Sequence, residues 1–231
     1  MSEQQTPTSW PTTPISIATA DPAPLGLAGF ALTTFILSAH NANWAPDLIW
    51  VGIALFYGGL AQLLAGMHEF RNKNTFGATA FSTYGAFWLG YASFVVMILA
   101  HAVPASVNID NAGGWFVASF AIFNTYMMFW SMRLNKAVFA VFFTLEVTEL
   151  LLAAGNFLAG HGYVTGTDII HVAGYAGIVT AACAWYASAA GVINSMTERP
   201  FLPVGAPLWG GPPRLPRQQA RPIGATPVPQ H

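Results

Sequence analysis

The chain has 231 residues, of which 54% are hydrophobic and only 7% charged, and its formal net charge is −1. A soluble domain carries about 25% charged residues, so this chain has too few to coat a water-facing surface, and an integral membrane protein follows. The near-neutral balance argues against a nucleic-acid partner, which demands a basic patch, and the single cysteine, Cys183, can form no internal disulfide.

Residues 1–20 are rich in Thr and Pro, hold no Lys or Arg and have no continuous apolar core. They read as a mobile cytoplasmic leader and not as a cleavable signal peptide. At Asp21-Pro22-Ala23-Pro24-Leu25-Gly26-Leu27 the polar leader gives way to an apolar helix running from Leu25 to His40. Two prolines one residue apart fit only the first turn of a helix, where the missing N–H would be unpaired anyway. Gly26 and Gly29 let another backbone come close. The expected product is a helix start with free N–H groups and a positive dipole end, suited to an anion.

Apolar stretches near the roughly twenty residues needed to cross a bilayer recur six times. They lie at about 25–41, 47–69, 78–101, 114–132, 137–160 and 168–195. Polar breaks separate them, among them Arg71-Asn72-Lys73-Asn74, Asn108-Ile109-Asp110-Asn111 and Arg133-Leu134-Asn135-Lys136. The fold class is therefore all-α integral membrane, with residues 21–199 forming a domain of six transmembrane helices. All eight basic residues fall after spans two, four and six, which by the positive-inside rule makes both termini cytoplasmic. From Pro200 onward the chain is rich in Pro with scattered Arg and reads as a disordered cytoplasmic tail, 200–231.

No Lys or Arg lies within a span, so an anion crossing here would exchange its water for hydroxyls, amides and helix N-termini. Thr33, Thr34, Tyr57, Gln62, Ser82, Thr83, Tyr84, Asn124 and Asn156 are candidates. Each serves equally as a helix-to-helix hydrogen bond of about 0.6 kcal/mol. Three carboxylates are candidates for proton coupling. Glu69 closes span two beside Arg71 and Lys73, where a solvated interfacial pair is the plainer account. Glu146 and Glu149, three apart on one face of span five, are costly inside a membrane and typical of proton or substrate paths. Ionised, they would repel a carboxylate; neutral, they would donate a hydrogen bond to it. Their alternative is a contact with a neighbouring subunit. His40, His101, His161 and His171 mark the outer side, as interfacial groups or acid sensors. No metal-ligand spacing, cofactor fingerprint or catalytic set is present, so neither an enzyme nor a bound cofactor is expected.

The order of residues from Asp21 to Leu27, followed by Gly29-Phe30 and Thr33-Thr34, resembles the signature of the acetate uptake transporter (succinate–acetate permease) family. The likeness extends through Phe56-Tyr57-Gly58-Gly59-Leu60-Ala61-Gln62, Asn74-Thr75-Phe76-Gly77, Ser82-Thr83-Tyr84-Gly85-Ala86-Phe87-Trp88, Val141-Phe142-Phe143-Thr144-Leu145 and Gly155-Asn156. It covers roughly residues 21–200. The resemblance implies a six-helix subunit with its own anion pathway, packed into a hexameric ring in the plasma (inner) membrane. It implies transport of acetate and related short carboxylates, succinate among them, by an anion channel or a proton-coupled mechanism. It places a hydrophobic constriction at Phe30, Tyr84 and Leu145. Asp21, Leu25, Gly26, Thr33, Thr34, Tyr57, Gln62 and Asn156 fall along the substrate pathway on the same reading. Asp21 departs from the family's usual Asn: an ionised aspartate cannot donate to a carboxylate, and it serves better as a helix cap. A channel for urea or other small neutral amides would also suit six spans and a pathway free of basic side chains.

Overall fold

The computed structural model describes residues 20–210. Six long helices run through them: α1 (Ala23–Asn41), α2 (Ile49–Arg71), α3 (Thr75–Leu99), α4 (Ile109–Ser131), α5 (Lys136–Gly160) and α6 (Val164–Ser195). A helix covers each of the six expected segments, with ends shifted by a few residues. Five are long and apolar enough to cross a membrane; α4 is 23 residues long but less apolar, because Asp110, Asn111, Asn124 and Thr125, with Trp115, Tyr126 and Trp130, dilute it.

The polar breaks in the sequence become helix caps. Asn74 Oδ1 accepts from Gly77 N at 3.1 Å, Asn108 Oδ1 from Asn111 N at 2.9 Å and Asn135 Oδ1 from Val138 N at 2.9 Å. Each satisfies one of the N–H groups that a helix start leaves unpaired. At the start of α1 the arrangement differs. Ala23 N donates to Asp21 Oδ1 at 2.9 Å, and Gly26 N reaches Pro22 O at 3.1 Å. Asp21 thus takes up an N–H that had been expected to be free, and Pro24 has none to offer.

Around the bundle α1 packs on α6, α6 on α5, α5 on α4, α3 on α2 and α2 on α1. Aromatic rings close the circle between α3 and α4, with Phe87 against Phe116 and Phe120, and Tyr84 against Phe123. Close backbone approach between α1 and α2 depends on glycine. A Cβ on Gly29 would stand 2.7 Å from Tyr57 O, and one on Gly58 would run into the Thr33 side chain. The middle of α2, Ala54–Ala61, is wound as a π-helix around Gly58-Gly59. Such segments are rare and concentrate at functional sites.

Beyond α6 the chain does not leave the bundle at once, as had been expected from Pro200. Residues 200–210 lie as a strap over the ends of α4, α5 and α6. Leu208 N and Trp209 N donate to Met132 O at 2.8 and 3.1 Å, and Ala137 N donates to Val204 O at 3.0 Å. Tyr186 OH donates to Pro203 O at 2.6 Å, and Trp130 stacks on Trp209. Proline removes N–H donors but leaves carbonyls, so a Pro-rich segment pairs readily with donors on helix ends.

Candidate functional site

Two cavities lie in line within the bundle. The first, of about 100 Å³, opens toward the end where α1, α3 and α5 begin and α2 finishes; Ala23, Leu27, Gln62, Glu69, Phe76 and Val138 are among its walls. This end carries Arg71, Lys73, Arg133 and Lys136. The second, of about 30 Å³, lies toward the opposite end, walled by Thr34, Ser38, Asn41, Trp88, Thr148 and Glu149 with their neighbours. Three residues line both: Phe30, Tyr84 and Leu145. All are buried, and the rings of Phe30 and Tyr84 meet edge-on with centroids 5.6 Å apart. A ring edge on a ring face is a favoured aromatic contact, so the barrier between the cavities is a packed one.

Tyr84 is held from behind by a chain of hydrogen bonds across three helices. Its hydroxyl donates to Asn124 Oδ1 at 2.9 Å, and Glu149 Oε1 lies 3.4 Å from the same oxygen. Asn124, fully buried, donates from Nδ2 to Phe142 O at 2.9 Å and to Glu146 Oε2 at 2.7 Å. The other Glu146 oxygen lies 2.7 Å from Thr125 Oγ1, whose single proton is shared between that carboxyl oxygen and Ala121 O, 2.9 Å away. The backbone carbonyl of Phe142 can only accept, which fixes the orientation of the Asn124 amide.

Buried polar atoms without a partner are informative because most such groups are paired. Several fall in the cavity walls: Gln62 Oε1 and Glu69 Oε1 in the first, and Thr34 Oγ1, Trp88 Nε1 and Glu149 Oε2 in the second. Glu69 is buried, not solvated, with the amides of Asn72 and Asn74 beside its carboxyl. Its sequence neighbours Arg71 and Lys73 face outward. Gly77 makes room for it, since a Cβ there would stand 2.6 Å from Glu69 Oε1.

Other residues named from sequence lie away from both cavities. Asp21 and Leu25 border a groove between α1 and α6. Gly26 is covered by the Phe81 ring, and Thr33 fits against Gly58 while its hydroxyl bonds Gly29 O at 2.9 Å. Tyr57 is half-buried and brings its backbone carbonyl to Gly29. Asn156 donates to Leu152 O at 2.8 Å on its own helix and faces Gly113 of α4. Sequence reasoning passed over Trp88 and Thr148 as polar wall residues. A tryptophan in an apolar run carries no visible sign that its N–H is unpaired, and a threonine there usually bonds its own helix. Among the described residues, no cluster of His, Cys, Asp or Glu is arranged to hold a metal ion.

The sequence profile of the GPR1/FUN34/yaaH family matches residues 3–206. The chain belongs to that family. It is 39% identical over 189 residues to the succinate-acetate/proton symporter SatP of Escherichia coli, covering 80% of this chain and 95% of that one. It is 36% identical over 218 residues to acetate permease A of Emericella nidulans, covering 87% of this chain and 70% of the relative. A solved structure of the bacterial acetate channel SatP superposes with a TM-score of 0.74 at 37% identity, covering 81% of this chain and all of that one. The family is thus one of membrane transporters and channels, and the protein is a multi-pass membrane protein of that kind.

Proposed function

We propose that this protein carries acetate and related short carboxylates, succinate among them, through the two cavities and past Phe30, Tyr84 and Leu145. The observation that carries the reading is that these three apolar or phenolic side chains are shared by both cavity walls, in a chain whose relatives move acetate. An apolar constriction closes on the methyl group and gates by dewetting, while unpaired hydroxyl, amide and carboxyl groups on either side replace the anion's water. With no Lys or Arg in either wall, binding stays weak enough for release.

The basic connections at the end bearing the first cavity support a cytoplasmic inner mouth and cytoplasmic termini. All six helices then span, α4 included, since its Asn124 and Thr125 are satisfied inside the bundle. We place the protein in the plasma membrane as a homo-oligomer, a hexameric ring. Large exposed apolar side chains such as Phe56, Ile122 and Leu150 supply surface for lipid and for neighbouring subunits. Channel and proton symport differ in one measurement: uptake of labelled acetate by proteoliposomes with and without an inward proton gradient. Acceleration by the gradient at fixed acetate marks symport, and gradient-independent flux marks a channel. Uptake of urea with none of acetate would defeat the proposal.

A further inference from the structure

The proposed pathway has two intramembrane glutamates on α5, and their surroundings separate them. Glu146 has both oxygens occupied, by Asn124 Nδ2 at 2.7 Å and Thr125 Oγ1 at 2.7 Å. Glu149 is 3% exposed, lines the outer cavity and leaves Oε2 without a partner. Among the described residues its Oε1 has one hydrogen-bonding neighbour, the Tyr84 oxygen at 3.4 Å.

A hydrogen count then assigns the protons. Both Asn124 Nδ2 protons are spent on Phe142 O and Glu146, so Asn124 Oδ1 must accept, and among the described residues the donor facing it is Tyr84 OH at 2.9 Å. A phenol has one proton. Tyr84 therefore has none left for Glu149 or for a passing anion, contrary to the expectation that its hydroxyl serves the substrate. The Glu149–Tyr84 contact is a hydrogen bond only when Glu149 carries the proton. Two lone-pair oxygens facing each other in a buried site would otherwise repel.

Resting on the transport reading, we infer that the outer cavity is a carboxylate subsite in which the protonated Glu149 carboxyl donates a hydrogen bond to the substrate anion. Turning that proton from Tyr84 to the cavity gives up the Tyr84 bond and sets two lone-pair oxygens together, a cost that the new bond to the anion must offset. Thr34 Oγ1 and Trp88 Nε1, buried in the same wall and unpaired, are the further donors. The cavity's volume of about 30 Å³ admits roughly two water-sized groups, the size of one carboxylate head, with the methyl left toward the constriction. The polar groups around Glu149 are Tyr84 and Trp88 of α3, Thr34, Ser38 and Asn41 of α1, and Thr148 and Glu146 on its own helix; of these, Tyr84 and Glu146 are the ionisable ones. Glu146 is a positioning residue that holds Asn124, and through it Tyr84.

The donor exists only while Glu149 is protonated, so affinity is present at low pH and lost as pH rises. The test is the half-saturation concentration for acetate uptake in proteoliposomes across acidic to neutral external pH. E149Q keeps an N–H donor at every pH. It should flatten the part of the pH dependence that wild type shows beyond acetate's own titration. E149L, with no donor, should raise half-saturation about tenfold at acidic pH. E146Q should follow the wild-type pH profile, whatever its rate. A wild-type profile in E149Q, or a flattened one in E146Q alone, overturns the inference while leaving acetate transport intact. No acetate uptake by wild type at any pH overturns the transport reading and this one together. Should E149Q fail to fold, infrared difference spectra of the E69Q/E146Q double variant, which leaves Glu149 as the intramembrane carboxyl among the described residues, decide. A neutral-carboxyl band that shifts when acetate is added supports the subsite, and no shift overturns it.

Discussion

Asn124→Leu removes the amide that ties α3 to α5 through α4, in a residue of similar volume, so the cavity term is small. The structure counts what is lost: the bonds to Tyr84 OH, Phe142 O and Glu146 Oε2, at 2.9, 2.9 and 2.7 Å. Interhelical hydrogen bonds within membranes average about 0.6 kcal/mol each, so the variant should be destabilised by ~2 kcal/mol. Tyr84→Phe removes the first of the three together with the longer Glu149 contact at 3.4 Å and should cost about 1 kcal/mol. In the double variant that shared bond is counted once, giving a coupling of about 0.6 kcal/mol of stabilising sign. Reversible unfolding in mixed micelles with increasing SDS, followed by circular dichroism, measures all four corners of the cycle. Zero coupling would show that Tyr84 and Asn124 do not hold each other. The hydrogen count behind the Glu149 assignment would then lose its footing.

Phe30→Ala should open the constriction to longer acids. Each additional CH₂ accommodated against an apolar wall is worth about 0.8 kcal/mol, so uptake of butyrate relative to acetate should rise about tenfold; an unchanged ratio in competition assays would mean that Phe30 only packs. Gly58→Ala drives a Cβ into Thr33 and should cost about 1–3 kcal/mol. Thr33→Ala in the same chain should restore most of that stability, and failure to do so would move the strain elsewhere. Ending the chain after Arg199 removes the strap bonds to Met132 O and Ala137 N, and should lower the thermal midpoint in detergent while acetate flux per folded molecule persists. Loss of flux at unchanged stability would assign the strap a role in transport.

The legible parts of the site are those that local chemistry announces. A proline pair must open a helix, and Asn at a polar break caps the next one, so Asn74, Asn108 and Asn135 could be placed from sequence as boundaries. Glutamates deep in an apolar run are conspicuous whatever their neighbours. The cavity walls are less legible, because a helix of period 3.6 offers several faces and hydropathy does not say which one looks inward when all are apolar. Thr33 and Thr34 are adjacent and chemically alike. Only the crossing of α1 over Gly58 turns the first into a packing residue and the second into a cavity wall. Asn156 bonds Leu152 O and faces Gly113, and Tyr57 brings its backbone carbonyl to Gly29; a motif alone cannot separate such helix contacts from substrate contact.

Composition by itself determined a membrane protein with six apolar segments separated by polar breaks, since crossing a bilayer constrains length and polarity residue by residue. Tertiary structure decided which polar groups are spent and which remain available. Glu146 and Glu149 are equivalent as letters three apart on a helix. Packing against Asn124 and Thr125 satisfies the first, while a cavity beside Tyr84 leaves the second with an unpaired oxygen. Hydrogen-bond capacity is finite and is allocated by residues far apart in the chain, here up to 65 positions between Tyr84 and Glu149, so no reading along the chain alone assigns it.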